Sequence, residues 1–357
     1  MTPVFFSRSK SLVGLDIGTS SIKAVELKEL GKGRGYQLAN MGIEPLSPEA
    51  IVDGAIMDSG LVVEGIQNVF SRNKIKGSDV AISLSGHSVI IKKISLPVMN
   101  PDELAESIQW EAEQYIPFDV DDVNIDYQVL QGSTTAGEGN MDVLLVAVKK
   151  DKINDYMSVI TQAGKNALVA DVDVFALQNA YEINYEAVAR KLIALINVGA
   201  SVTNVAVMQS GSSIFWRDLS VGGNNYTDAL QKELNLTFEQ AEAAKKGDAT
   251  AAPRDRVTAI IDAVNEQVGT EIQKTLDFFK ATSASDPVSL IELTGGAART
   301  PNLAPYLSRR FETQVEIMNP FRSIAVNERA FPPDRLEPLT TAASVAVGLA
   351  LRKVGDK

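Results

Sequence analysis

Apolar positions alternate with polar ones, or run in short blocks, through residues 11–18, 21–30 and 35–42, and Gly- and Ser-rich turns separate them. That pattern predicts a three-strand meander. Residues 62–73 then change to a helical period, with Val62, Ile66, Val69 and Phe70 on one face. Two further strands are predicted at 79–85 and 89–96, joined around Gly86 beside His87. Asn100, Pro101 and Glu103 supply an N-cap, a first-turn proline and a capping-box partner, so a helix should run from there to about 115 and stop at Pro117. Strands at 123–130 and 143–148 flank a Gly/Thr/Ser-rich loop, and 153–163 is helical. Residues 89–164 therefore read as strand, helix, strand, strand, helix, an inserted module of their own.

The second half repeats the strand-rich opening. A strand at 169–174 feeds a helix at 175–182, and strands at 191–198, 202–208 and 214–219 form another meander. Helices fill 224–234, 237–246 and 254–282. A strand at 288–293 runs into Thr294, Gly295 and Gly296, followed by a helix at 301–311 and a strand at 314–318. A Pro-rich stretch at 321–338 reads as irregular, and an Ala-rich helix is expected at 339–353.

Length and charge narrow the function. The 357 residues suggest two domains or one large split domain, and 45% hydrophobic against 22% charged residues fits a folded chain. A net charge of -11 opposes phosphate-backbone binding, so nucleic acid is not an expected partner. With no Cys and a single His there is no disulfide framework, no thiolate metal site and no His-rich zinc site. Residues 1–11 lack the apolar run of a signal peptide, and no stretch reaches the roughly 20 apolar residues of a spanning helix. A cytoplasmic protein is expected, reaching a membrane only through a partner.

The chemistry lies in an internal repeat. Leu15-Asp16-Ile17-Gly18-Thr19-Ser20-Ser21 aligns with Ile196-Asn197-Val198-Gly199-Ala200-Ser201-Val202 at a constant offset of 181 residues, near half the chain. In each copy a strand ends at an acidic or amide residue, turns through Gly and returns as an apolar strand. Such turns expose N–H groups and small hydroxyls and can cradle phosphate oxygens; two facing each other would grip a polyphosphate from both sides. Asp16 would then lie near the phosphates and could hold Mg²⁺ or its waters. A Gly-Thr-Ser turn also joins many hairpins that bind nothing, and the spaced pair is what tips the balance to function.

Asp16 to Ser21, with Lys23 seven residues after Asp16, resembles the first phosphate loop of the actin, Hsp70 and sugar-kinase superfamily. Asn197-Val198-Gly199-Ala200 resembles its second phosphate loop, and Thr294-Gly295-Gly296-Ala297 its adenosine motif. Val221-Gly222-Gly223 is similar to the turn closing the second hairpin run. Ala241-Glu242-Ala243-Ala244-Lys245 resembles the helical signature whose Glu and Lys reach the ribose in bacterial actins. Within the superfamily the module at 89–164, Ile94-Ser95-Leu96-Pro97 and the stretch from Glu111 to Phe118 resemble the PilM family of type IV pilus assembly, itself similar to FtsA. FtsA is expected to end in a linker and membrane helix, whereas this chain ends at Lys357 after its core helix.

The resemblance implies an α/β actin-like ATPase fold, two ribonuclease-H-like halves with an FtsA/PilM-type insertion. The expected divisions are 1–88 (first core), 89–165 (insertion), 166–223 with 285–330 (second core), 224–284 (helical subdomain) and 331–357, a helix returning to the first core. It implies ATP and Mg²⁺ as cofactors. Gly18, Thr19, Ser20, Ser21 and Lys23 would hold phosphates, with Asn197, Gly199, Ala200, Gly222 and Gly223 opposite; Glu242 and Lys245 would meet the ribose, and Gly295 and Gly296 the adenine. Asp16 would serve magnesium, partly through water. Asn197 stands where the superfamily commonly has Asp, so hydrolysis is expected to be slow at most. Asp173 resembles the acidic residue that positions water, or else caps the helix before Phe175; Gln178 is a weaker choice, and Asp171 and Asp173 should share one strand face. Trp110 and Phe118 are read as core of the insertion, with a residue exposed there able to contact a partner; Asp119, Asp121 and Asp122 are read as a solvated loop, and Arg309 and Arg310 as helix-dipole compensation. The implied partners are the cytoplasmic N-terminal segment of PilN, docked on the insertion and first core, and the pilus motor ATPases and platform protein, with self-assembly open. An FtsA-like division filament and a small-metabolite kinase are the alternative readings.

Overall fold

The structure is a computed structural model describing residues 11–31, 33–130, 139–186, 191–248, 250, 252–283 and 286–356. The expected N-terminal segment 1–10 and most of the Gly/Thr/Ser-rich loop lie outside the described residues. The first sheet is built from β1 (Val13–Ile17), β2 (Ser21–Glu29) and β3 (Tyr36–Pro45), an antiparallel meander. A small hairpin, β4 (Ile51–Val52) and β5 (Ala55–Ile56), and helix α1 (Ser59–Arg72) lead to β6 (Asp79–Leu84), which pairs parallel to β1. The insertion follows: β7 (Val89–Pro97), α2 (Pro101–Glu113), β8 (Val123–Val129) and β9 (Asn140–Lys149), ordered β7-β9-β8. Helix α3 (Lys150–Gln162), strand β10 (Asn166–Val172) and helix α4 (Asp173–Asn184) return the chain to the first core.

The second sheet comprises β11 (Leu192–Val198), β12 (Thr203–Gln209) and β13 (Ser212–Leu219), then α5 (Gly223–Leu234), α6 (Phe238–Lys245) and α7 (Arg254–Ser283), then β14 (Leu290–Thr294), α8 (Leu303–Phe311) and β15 (Gln314–Ile317). Helices α9 (Pro333–Thr340) and α10 (Ser344–Ala350) close the chain. The sheet orders β10-β6-β1-β2-β3 and β13-β12-β11-β14-β15 are the same topology. In both, a central strand pairs antiparallel to its successor and parallel to the strand after the intervening helices. The sequence repeat is thus a structural duplication.

Local chemistry explains most boundaries. The Asn100 side chain accepts from the N–H groups of Asp102 and Glu103, and Glu103 accepts from the Asn100 N–H at 3.1 Å, completing the capping box. The insertion has its own core of Ile94, Leu104, Ile108, Val123 and Leu145. Three expectations fail here. Trp110 is 72% exposed and packs in no core, because it stands on the face of α2 opposite Leu104 and Ile108. The expected division at 166 is not where the sheets part: β10 pairs parallel to β6, and Tyr156, Val159 and Ile160 of α3 bury into the first core. The Pro-rich tail is not wholly irregular, since Pro332 and Pro333 precondition the start of α9.

A third apolar layer joins the halves. Val25 and Leu27 of the first sheet, Ile193 and Leu195 of the second, Leu177 and Ala180 of α4, and Ala346 and Val347 of α10 form one cluster. A Cβ on Gly14 would stand 1.9 Å from the Ala346 carbonyl oxygen, so α10 touches β1 at backbone distance. The expected helix at 339–353 is accordingly shorter, starting after a 3-10 turn at Thr341–Ala343.

Glu292 on β14 is 1% exposed, sits directly across from Glu316 on β15, and leaves Oε2 without a hydrogen-bond partner. Burial, reinforced by Glu316 and partly offset by Arg322, pushes its pKa up to about 7. The folded chain therefore holds a proton that the unfolded chain has lost above about pH 4.5, so stability falls as pH rises toward and through 7. Glu292→Gln should flatten this slope. We expect it to stabilise the fold at pH 8 by on the order of 2 kcal/mol and to change little at pH 4.5, read from urea unfolding at both pH values; a pH-independent difference would refute the assignment.

Candidate functional site

The two duplicated turns meet at the mouth of a cleft between the halves. In the first, the Gly18 N–H donates to the Ser21 carbonyl at 3.1 Å, and in the second, the Gly199 N–H donates to Val202 at 3.0 Å. Among the described residues this leaves the N–H groups of Thr19, Ser20, Ala200 and Ser201 without a protein acceptor. Ser201 Oγ donates to Thr19 Oγ1 at 2.9 Å, so the facing of the two loops expected from the repeat is realised as a direct contact. Asn224 of α5 also donates to Ser201, at 3.2 Å.

Beneath each turn lies a cross-strand pair at the same register position. In the first copy it is ionic, with Lys23 Nζ 3.2 Å from Asp16 Oδ2; in the second it is an amide pair, Asn197 Nδ2 donating to Asn204 Oδ1 at 2.7 Å. Burial raises the Asp16 pKa, Lys23 opposes this, and Asp173 adds to it. Asn197 is thus held by a neighbour of its own kind and brings no charge to the cleft.

Asp173 lines the cleft and accepts from Ser83 Oγ at 2.6 Å. It is the first residue of α4 and Val172 is the cap, so the N-cap reading is corrected. The strand ends at Val172, and the expectation that Asp171 and Asp173 share a face fails with it. Asp171 is buried against Arg352 at 3.3 Å, away from the cleft. Gln178 also drops out: it donates to Glu182 at 2.6 Å and accepts from the Ser213 N–H at 3.2 Å.

Gly295 and Gly296 line the opposite wall with Ala342 and Val345. Gly295 has φ +99 and a Cβ there would stand 2.3 Å from the Val198 carbonyl oxygen, whereas a Cβ on Gly296 would meet nothing. Ser21, Gly222, Gly223, Glu242 and Lys245 stand outside the lining. Gly222 and Gly223 open α5 and do not simply close a hairpin: the N–H groups of Gly223 and Asn224 donate at 2.8 Å to the carbonyls of Gly199 and Ala200, fixing the second loop. Lys245 Nζ donates to Glu242 and to Thr227 Oγ1, and reaches the Gly223 carbonyl at 3.2 Å. Burial would raise the Glu242 pKa, but Lys245 draws it down.

Three residues that the motifs do not mark, Asp218, His87 and Lys152, complete the cleft. Asp218, its pKa raised by burial, accepts from Asn204 at 2.8 Å and, across the cleft, from the Gly86 N–H at 2.7 Å. His87 Nε2 lies 3.3 Å from Ser220 Oγ, again joining the halves. Lys152 also lines the cleft; its spacing with Tyr156 and Ile160 on one helical stripe was the available signal. The free loop N–H groups and the two lysines fit an anion. Among the described residues no three carboxylates or imidazoles cluster as a protein-only metal site. Mg²⁺ suits such a place, since it takes one or two carboxylates and fills its shell with phosphate oxygens and water.

A model of the type IV pilus assembly protein PilM matches residues 14–354. The chain belongs to the PilM family. A solved structure described as a PilM-PilN type IV pilus biogenesis complex is 25% identical, with a TM-score of 0.87 over 98% of this chain and 100% of that one. MreB5 of Spiroplasma citri bound to ADP is 14% identical with a TM-score of 0.50, covering 94% of each chain, and shares the actin-like fold. The cell division protein FtsA of Staphylococcus epidermidis is 22% identical over 263 residues, 65% of this chain. This PilM-family chain spans about half, 53%, of that relative's length. The α/β actin-like fold expected from the motifs is therefore the one found.

In this PilM-family cleft the Asp16–Lys23 pair carries a testable cost. Lys23→Met would strand the Asp16 carboxylate, whose raised pKa already makes the folded state favour its protonated form, so the loss should grow as pH rises. We expect a destabilisation of about 2 kcal/mol at pH 8 and less at pH 5, recovered in Lys23→Met/Asp16→Asn, by urea unfolding. A loss that the second substitution does not relieve would discard the pairing.

Proposed function

We propose that the chain is a cytoplasmic actin-like ATP-binding protein of type IV pilus biogenesis. In this reading it binds the cytoplasmic N-terminal segment of PilN and links the inner-membrane assembly complex to cytoplasmic machinery, the motor ATPases and platform protein among it. The observation that carries it is the likeness, over nearly the whole chain, to the PilM of a PilM-PilN complex. Among the described residues no helix is long and apolar enough to cross a membrane, and PilN supplies the tether. The peptide docks on the insertion and the adjoining first core.

ATP lies between the two turns. The N–H groups of Thr19, Ser20, Ala200 and Ser201 and the Lys23 ammonium receive its phosphates, with Gly18 and Gly199 shaping the turns. Gly295 and Gly296 border the adenine, and no atom beyond its chain neighbours stands within 4 Å of where a Gly296 side chain would begin. Glu242 and Lys245 stand toward the ribose behind Gly222 and Gly223. Asp16 holds Mg²⁺, partly through water, and Asp173 orients water with Ser83 as its support. Bound metal would supply charge neutralisation at the phosphates. With Asn197 uncharged, turnover is slow, and nucleotide acts more as a structural or switching ligand than as a substrate. We divide the chain as first core 11–88 with 150–184, insertion 89–149, second core 191–223 with 286–330, helical subdomain 224–283, and the closing helices from 333.

Calorimetric titration of the full chain with a synthetic PilN N-terminal peptide should give saturable binding. Absence of heat both with and without ATP would overturn the partner assignment. Separately, Asp16→Ala should remove the part of ATP affinity that depends on added Mg²⁺, about tenfold, while affinity in EDTA stays near that of the parent chain; an unchanged magnesium response would discard Asp16 as its ligand.

A further inference from the structure

The cleft contains two lysines in different electrostatic situations. Lys23 is neutralised by Asp16. Lys152 is 8% exposed, donates to the Gly54 carbonyl and lies 4.7 Å over the Tyr156 ring; among the described residues no carboxylate stands within ion-pairing distance. An ammonium has three donors, and a single carbonyl occupies one. Burial lowers the Lys152 pKa, and Asp173 is the strongest charge opposing this. A cation kept in so dry a place without a counter-ion is expensive unless an anion enters.

Position says which anion. The glycines assigned to the adenine, Gly295 and Gly296, belong to the second half, and the phosphates run between the two turns. The far end of a nucleotide so placed faces the first half, where Asp16, Asp173 and Lys152 line the same cavity. We propose that Lys152 contacts the terminal phosphate of a bound nucleoside triphosphate and makes the cleft prefer triphosphate over diphosphate. This rests on the nucleotide reading of the cleft. Lys152 is the third residue of α3, which continues from β9 of the insertion without a break, so the contact forms where the insertion rejoins the core.

The competing role is purely structural, with Lys152 serving to hold the turn at Asp53 and Gly54. Affinities of the full chain for Mg-ATP and Mg-ADP, measured by calorimetry, separate the two. The parent chain should bind ATP more tightly than ADP. Lys152→Met should weaken ATP by about tenfold and ADP by less than twofold, collapsing the preference. Lys152→Arg should retain most of the preference. Lys152→Gln, which keeps a donor for the Gly54 carbonyl, should collapse it as Met does and decides the matter if the Met variant does not fold. Equal losses on both nucleotides, or an unchanged ratio, would overturn the proposal while leaving the nucleotide reading intact. A parent chain that binds neither nucleotide would overturn both.

Discussion

The crossing of α4 and α10 fixes the distance between the two sheets. A Cβ on Gly348 would fall 1.7 Å from the Ala176 carbonyl oxygen, so the helices meet backbone to backbone, and β1 comes equally close to α10 at Gly14. Small residues there let leucines, valines and isoleucines from both sheets share one dry layer. Asn184 at the end of α4 locks the same joint from the second half, donating to the Pro320 carbonyl at 2.7 Å and accepting from the Ser323 N–H at 2.8 Å. The positions of the two turns follow from this packing, because each lies at the end of a strand whose other face is buried in it.

In front of that layer, among the described residues, polar contacts join the halves: Ser201 with Thr19, Gly86 with Asp218, His87 with Ser220. Polar contacts can be exchanged for water or ligand at small net cost, whereas the apolar layer behind cannot open without exposing its area. Of the two kinds of contact, the apolar layer at the α4–α10 joint is the one that resists separation. The insertion is attached by two connections: residues 85–88, of which Ser85, Gly86 and His87 line the cleft, and the β9–α3 junction, which runs into Lys152 of the same lining.

Much of this was legible because local chemistry and periodicity agreed. The Asn100 capping box, the duplicated turns and the Gly295-Gly296 motif each announce a backbone geometry that only certain residues tolerate. Long-range pairing was not legible. Residues 169–174 read as a strand, but nothing in them says that the strand joins β6, and the expected division at 166 therefore cuts through the first core. Strand period continued to residue 174 puts Asp171 and Asp173 on one face, whereas the helix begins at Asp173. Hydrophobicity alone puts Trp110 in the core, but its helical phase relative to Leu104 and Ile108 places it outside. Asp218 sits in no motif, and its contact across the cleft exists only because Gly86 from the other half arrives opposite it.

The two cross-strand pairs beneath the turns differ in kind. Duplication preserved the hairpin, yet one copy keeps a carboxylate and an ammonium, Asp16 and Lys23, and the other two neutral amides, Asn197 and Asn204. Shape is shared and charge is not. Within the paired hairpins the ionic pair belongs to one jaw alone, while the other is braced by neutral amides and meets a carboxylate, Asp218, one strand further out.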